Sequence, residues 1–78
     1  MIKKTLIRLL QKTFTKAKIP KNNENLMPGD FDDWDSLGHL KFLLSIEKHY
    51  EIKFTMVEIM ELKKISQIVE AIKNRNLT

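Results

Sequence analysis

Cysteine is absent from the 78-residue chain, which excludes a disulfide framework and a metal site built from thiolates. The sequence also lacks any apolar run close to the roughly 20 residues that a membrane-spanning helix needs. Internal repeats and low-complexity segments are missing too. We expect one small domain over residues 1–78, with little core to spare for a deep catalytic pocket.

Acidic residues are missing from the first 21 positions, which hold seven basic residues. Five acids follow between positions 22 and 36, and the whole chain has a net charge of +4. A positive total is compatible with nucleic-acid binding. However, the aromatic residues that interleave with basic ones in a single-strand binder are missing, and no familiar binding motif accompanies the charge. We therefore expect no nucleic-acid partner.

The first segment has the spacing of an amphipathic helix over residues 2–17. The core-facing positions recur every three or four residues: Ile2, Leu6, Leu9, Leu10, Thr13, Phe14 and Ala17. Lys4, Arg8, Lys12 and Lys16 form a stripe on another face. The simplest interpretation of this stripe is a solvated face, and contact with an acidic partner or anionic lipid is the alternative.

The same basic beginning resembles a targeting segment. Arg8 interrupts its apolar part and no long uncharged stretch follows, which argues against a secretory signal. A transit peptide is the other targeting interpretation, because the segment is basic and contains no acid. We favour a core helix over both, and we expect a cytoplasmic location.

A long loop follows this helix, which Pro20 ends. Turn-forming and helix-breaking residues fill it: Asn22, Asn23, Asn25, Pro28, Gly29 and Asp30. Four apolar residues are expected to pin the loop to the helices: Leu26, Met27, Phe31 and Trp34. A loop this long in so small a domain is usually functional.

The second predicted helix begins at 35 or 36, where Asp35 is a natural N-cap, and ends at 49 or 50. One side of it carries His39, Phe42, Leu43, Ile46 and Tyr50. A different side carries Leu37, Leu40 and Leu44, flanked by Lys41 and Lys48. Either this helix is central in a bundle, or its second stripe contacts a partner or cargo.

The last part of the chain predicts an extended connection and two more helices. Residues 51–54 alternate but have no partner strand, so we expect Ile52 and Phe54 to turn inward. Thr55 and Glu58 match a capping box, which predicts a short helix to about 62. Ser66 is the expected N-cap of a last helix to about 75, and residues 76–78 are expected to fray. The fold class is therefore all-α, a bundle of three longer helices and one short one.

The most informative stretch is Trp34-Asp35-Ser36-Leu37-Gly38-His39-Leu40, in which a serine follows an acidic turn and opens an apolar helix. This run resembles the phosphopantetheine attachment site of acyl and peptidyl carrier proteins. Residues 46–54 and 65–69 are similar to later stretches of the same family. The resemblance covers essentially the whole chain and implies the four-helix fold of an acyl carrier protein.

The resemblance implies a non-catalytic carrier. A phosphopantetheinyl transferase would move the 4′-phosphopantetheine arm of coenzyme A onto Ser36, and Asp35 would guide that enzyme. The thiol of the arm would then carry acyl groups as thioesters, which suits a chain without cysteine. The partners would be an activating ligase, synthase or transferase, and the carrier itself would be a monomer. Its partner-facing residues would be Leu37, Leu40, Lys41, Leu44 and Lys48.

The second helix departs from the family's usual pattern. Fatty-acid carriers are usually acidic there, whereas Lys41 and Lys48 lie beside Glu47, and Gly38-His39 occupy positions where an acid is common. We therefore expect acyl intermediates of a dedicated biosynthetic pathway. An aminoacyl or peptidyl carrier, such as a D-alanyl carrier, is the alternative. A third hypothesis is an unmodified helical adaptor that binds protein or anionic lipid through its basic first helix.

Several residues also have structural interpretations that are simpler than a functional role. Ser36 could be an ordinary N-cap serine, and Trp34 could pack the loop or contact the transferase. His39 and His49 are ten positions apart without a completing carboxylate pattern, so we expect a packing and a surface residue rather than metal ligands. The acids at Asp30, Asp32 and Asp33 lack the spacing of a calcium loop, which predicts a solvated turn and no metal site.

Overall fold

A computed structural model describes residues 2–75, and all regular secondary structure among them is helical. The helices are α1 (Ile2–Thr13), α2 (Ser36–Tyr50), α3 (Met56–Glu61) and α4 (Ile65–Lys73). This confirms the predicted all-α fold with one short helix. The predicted fraying of residues 76–78 lies outside the described part of the chain. No helix within residues 2–75 is both long enough and apolar enough to cross a bilayer.

The core forms where α1 packs against α2 and α4. Its fully buried aliphatic side chains are Leu6, Leu10, Leu43, Ile46, Ile65, Ile68 and Ile72. The short helix α3 contributes no buried residue, and only Ile59 and the adjoining Leu62 pack against the edge of the core. The fold therefore depends on three helices, and α3 lies on it as an outer segment.

Helix α1 ends at Thr13, so the prediction that it continues to residue 17 is wrong at its C-terminal end. The side-chain amide nitrogen of Gln11, which has two N–H groups to donate, lies 3.2 Å from the carbonyl oxygen of Phe14, 3.3 Å from that of Thr15 and 3.0 Å from that of Ala17. These bonds stabilise a turn in place of another helical turn. The apolar spacing continued past the helix because Phe14 is still buried.

Helix α4 begins at Ile65 with Lys64 as its N-cap residue, so the prediction of Ser66 as N-cap is wrong. The N–H of Ile65 donates to the carbonyl of Leu26 (3.0 Å), and the N–H of Ser66 donates to the carbonyl of Glu24 (2.9 Å). The long loop thus satisfies donors of the first helical turn through its own backbone. A serine side chain is not needed for that purpose.

The connection from α2 to α3 contains neither helix nor strand, and it places Phe54 in the core, as predicted, while Ile52 is half-buried. Glu51 ends α2 in the left-handed region (φ 55°), which disfavours a side chain with a Cβ atom. Farther along, the Thr55 hydroxyl accepts from the N–H of Glu58 (3.1 Å). The Glu58 carboxylate accepts in return from the N–H of Thr55 (2.9 Å), so the predicted capping box is confirmed.

Gly38 allows the loop and the end of α1 to approach α2 closely. A Cβ atom at this position would lie 2.3 Å from the backbone oxygen of Asp33 and 2.9 Å from the ring of Phe14. The first contact is with backbone, which cannot rotate away as a flexible side chain could. Only glycine therefore fits the first turn of α2 at this point.

We expect Gly38→Ala to lower the free energy of unfolding by roughly 1–3 kcal/mol, because the added methyl group overpacks the contact with Asp33 and Phe14. Urea unfolding followed by circular dichroism measures the change. Lys41→Ala, an exposed substitution one turn farther along α2, is the matched control and should change stability by less than about 0.5 kcal/mol. Equal stability of the two variants would contradict the close packing.

Candidate functional site

Ser36 is the first residue of α2, and Asp35 caps this helix as predicted. One carboxylate oxygen of Asp35, Oδ1, accepts from the N–H of Gly38 (2.8 Å). Its backbone carbonyl accepts from the N–H of His39 (2.8 Å). Neither contact uses the N–H groups of Ser36 and Leu37, which lie at the positive end of the helix dipole.

The side chain of Ser36 is exposed, and its hydroxyl makes none of the hydrogen bonds found within residues 2–75. The interpretation of Ser36 as an ordinary N-cap serine is wrong, because the capping side chain is that of Asp35. The serine hydroxyl is therefore available to an approaching enzyme, and the helix does not depend on it.

Trp34, two residues before Ser36, is completely buried. The centroid of its ring system lies 5.7 Å from that of Phe14, 5.6 Å from Phe31 and 5.9 Å from Phe42. This confirms that Trp34 packs the loop against the helices. Of the other residues expected to pin the loop, Leu26 is buried and Phe31 half-buried. The prediction for Met27 is wrong, because its side chain is exposed.

A buried chain of hydrogen bonds continues from Trp34 into the bundle. The indole N–H donates to Nδ1 of His39 (3.0 Å), and Nε2 of His39 lies 2.6 Å from the carbonyl oxygen of Leu62. An indole N–H can only donate, so Nδ1 accepts and the proton of the neutral ring sits on Nε2. His39 therefore joins the loop and α2 to the connection after α3, which confirms its packing role.

The pKa of His39 is lowered from its ordinary value of 6.5, chiefly because burial disfavours the charged ring. The hydrogen bond to the Leu62 carbonyl opposes this effect, and the positive charge of Lys63 adds to it. His49, by contrast, is exposed on α2, as predicted. Within residues 2–75, no group of three His, Asp or Glu side chains is placed to hold a metal ion.

The second apolar stripe of α2 is exposed. Leu37 is 61% exposed, Leu40 38% and Leu44 50%. Of the two alternatives for α2, a central position that covers both stripes is therefore wrong, and contact of the second stripe with a partner or cargo stays a prediction. Lys41 and Lys48 are exposed beside it.

Glu47, the only acid in α2, is half-buried, and its carboxylate accepts from the backbone N–H of Phe54 (2.6 Å). Its charge is turned toward the α2–α3 connection. The exposed face of α2 therefore combines leucines with lysines.

Helix α3 adds an exposed apolar surface that the sequence did not indicate. Met56 is 73% exposed, Val57 60% and Met60 66%. Val57 and Met60 were expected to supply the apolar side of a short helix. A six-residue helix at the edge of the core has too few positions to show a clear period, so its exposed side could not be predicted from spacing.

The family described as the phosphopantetheine attachment site matches this chain over residues 30–72, more than half of its 78 residues. The matched region runs from the end of the loop through α2 and α3 into α4. The chain therefore belongs to this family of carrier domains, which includes the acyl carrier proteins. No curated protein sequence and no solved structure gives a significant match.

Membership of this family assigns the cofactor. Phosphopantetheine-attachment domains hold 4′-phosphopantetheine covalently and carry it to partner enzymes. The protein is thus a phosphopantetheine-carrying carrier protein.

We expect acid to weaken the fold through His39. The unfolded chain binds the proton near the ordinary pKa of 6.5, whereas the folded chain resists it. The contribution of His39 to the free energy of unfolding is therefore complete above pH 6.5. It declines as pH falls below this value, until pH passes the lowered pKa of the folded state. Urea unfolding at a series of pH values measures this decline.

His39→Gln is the control, because glutamine binds no proton in this range and should remove the slope even if stability is lower throughout. The carboxylates of Glu24 and Glu58 do not interfere. Hydrogen bonds from Lys3 and Arg75, respectively, hold their pKa values below 4.5, so they protonate only in more acidic solution. The same slope in both proteins would contradict the assignment to His39.

Proposed function

We propose that this protein is an acyl carrier protein whose 4′-phosphopantetheine arm is attached to Ser36. The observation that supports this site best is the exposed hydroxyl on the first residue of α2, which no other side chain engages within residues 2–75. To form the phosphodiester, this oxygen attacks the pyrophosphate of coenzyme A, adenosine 3′,5′-bisphosphate leaves, and the transferase takes the hydroxyl proton. A serine bonded within the helix could not be reached in this way.

The residues around Ser36 fit an attached phosphate. The N–H groups of Ser36 and Leu37 lie at the helix N-terminus, where an anion gains about 0.3–1 kcal/mol when exposed. Asp33 and Asp35 oppose it by charge repulsion. We infer that Asp35 is retained for the transferase, because the cap uses Oδ1 alone and leaves Oδ2 for the basic residues and divalent metal of that enzyme.

The arm supplies a terminal thiol that holds an acyl group as a thioester. The protein itself fixes the attachment point and presents it, and it catalyses no step. Since Trp34 is buried two residues away, the attachment point moves with the folded domain. A flexible tether on a fixed base lets one thiol reach several enzymes in turn.

Partner enzymes contact the exposed face of α2. This docking face consists of Leu37, Leu40, Lys41, Leu44 and Lys48. Exposed leucines provide apolar contact area, and the lysines select partners that present acidic groups. Enzymes that expect an acidic carrier would meet like charges here, which argues for a dedicated pathway.

We expect coexpression with a broad-specificity phosphopantetheinyl transferase to add a single 4′-phosphopantetheine group to the protein, seen by intact mass spectrometry. Ser36→Ala should remove the addition completely. Ser45→Ala is the matched control, since Ser45 lies on the same helix and its hydroxyl bonds to the Phe42 carbonyl (2.7 Å). A folded wild-type protein that stays unmodified, or a Ser36→Ala variant that is still modified, would overturn the site.

Asp35→Asn separates the two roles of Asp35 in the same assay. Asparagine caps a helix about as well as aspartate, so α2 should remain intact by circular dichroism. Loading should nevertheless be slower, because the charge that the transferase recognises is gone. Unchanged loading of this variant would show that Asp35 acts only as a cap.

We expect the loaded thiol to accept an acyl group rather than an amino acid. The apolar side chains exposed on α2 and α3 favour an aliphatic cargo, which gains roughly 25 cal/mol for each Å² of apolar surface it covers. Incubation of the phosphopantetheinylated protein with panels of acyl-activating and aminoacyl-activating ligases tests this by mass. The unmodified protein is the control for non-specific acylation, and loading by aminoacyl-activating ligases alone would make it an aminoacyl carrier.

A further inference from the structure

The exposed side of α1 carries a row of positive charge that the carrier function does not use. Lys4, Arg8 and Lys12 follow one another at four-residue spacing and are all exposed, whereas Leu6 and Leu10 on the opposite side are buried. We call these three cations the basic stripe. Because α1 uses its buried side to pack against α2 and α4, the stripe lies on the side of α1 that neither helix covers.

No carboxylate in the described part of the chain pairs with the basic stripe. Within residues 2–75, ion pairs shorter than 4 Å join Lys3 to Glu24 (2.9 Å) and Arg75 to Glu58, and neither pair involves the stripe. Lys16 and Lys18, farther along the chain, differ in this respect. They line a surface pocket together with the acids of the loop, so their charge is partly offset.

The stripe is not explained by the stability of α1. The first turn of this helix contains no acid, although an acid is the favoured charge there. Like charges four residues apart also destabilise a helix. Only Lys12, in the last turn, suits the helix dipole. A pattern that otherwise weakens the helix points to an external anion.

The chemistry of the stripe favours a lipid surface over other anions. The large apolar side chains exposed among the described residues are Met27 and six residues between 37 and 60, and none belongs to α1. A protein partner would require apolar or aromatic anchors, and lysine is depleted from such interfaces. A single-stranded nucleic acid would call for stacking aromatics, and Phe14, directly after α1, is buried. Strongly hydrated lysine charges suit a diffuse layer of anionic headgroups.

We propose that α1 holds this protein electrostatically at the surface of an anionic phospholipid bilayer. The contact uses the basic stripe and inserts no side chain into the hydrocarbon layer. It leaves Ser36 and the docking face of α2 open to enzymes. The interaction does not depend on the arm, so it can be tested on the unmodified chain.

Sedimentation with vesicles of phosphatidylglycerol and phosphatidylcholine tests the proposal on the full chain. We expect binding that weakens as salt rises and that disappears with phosphatidylcholine alone. Each Lys or Arg at the surface contributes about fivefold to affinity. The triple variant Lys4→Glu/Arg8→Glu/Lys12→Glu should therefore bind at least on the order of a hundredfold more weakly.

Lys53→Glu/Lys63→Glu/Lys73→Glu is the matched control, with the same change in net charge at exposed lysines outside both α1 and the docking face. It should keep most of the vesicle affinity, because the molecule is 31 × 25 × 19 Å across while screening at 0.1 M salt acts over about 10 Å. Circular dichroism verifies that both variants fold. The α1 variant should still accept the arm at Ser36, so failure here and failure of the carrier proposal are distinguishable.

Three outcomes would overturn the proposal. The first is absence of vesicle binding by the wild-type chain at low salt. The second is an equal loss in the two triple variants, which would assign binding to net charge rather than to α1. The third is equally tight binding to polyglutamate or to DNA, which would mean a general affinity for polyanions in place of a membrane surface.

Discussion

The hydrogen bond from the Trp34 indole to His39 is the constraint around which the functional end of the molecule is organised. It fixes the end of the long loop against α2, and the other nitrogen of His39 continues the contact to the Leu62 carbonyl. Three separate stretches of chain are thereby held by one imidazole. Because the bond requires a neutral ring with its proton on Nε2, the arrangement depends on the burial that lowers the pKa of His39.

A buried anchor beside an exposed hydroxyl explains how a small domain can hold its proposed modification site in a fixed position. Trp34 is fully buried and Ser36 is exposed, so the chain passes from core to surface across a single residue, Asp35, which caps the helix. Gly38, in the first turn of α2, also allows close packing here. Because it has no Cβ atom, the Asp33 carbonyl and the ring of Phe14 can approach the helix. The position of the hydroxyl is thus set by packing, and the hydroxyl itself remains unused by the fold.

Sequence predicted those parts of the structure that are stabilised by near neighbours in the chain. Asp35 caps α2 through Gly38, and Thr55 caps α3 through Glu58, each three residues away. The start of α4 could not be predicted in the same way, because its donors are satisfied by the backbone of residues 24 and 26. The end of α1 and the hydrogen bond from His39 to Leu62 also depend on tertiary contacts. The prediction of Ser36 and Asp35 as site residues rests on the resemblance of their motif to a known family, and it stays a prediction.

The positions of the charged residues relate the proposed attachment site to the proposed membrane contact. The exposed face of α2 is more positive than the net charge of the helix suggests. The carboxylate of Glu47 accepts from the N–H of Phe54, while Lys41 and Lys48 remain exposed. Glu24 of the loop pairs with Lys3 near the start of α1, whereas Asp30, Asp32 and Asp33 lie near its end, where they line a pocket with Phe14 and precede Ser36 in the chain. An anionic bilayer would attract the basic stripe and repel this acidic loop. The same field that holds α1 at the membrane would therefore turn Ser36, the proposed attachment residue, toward solvent, where soluble partner enzymes can reach it.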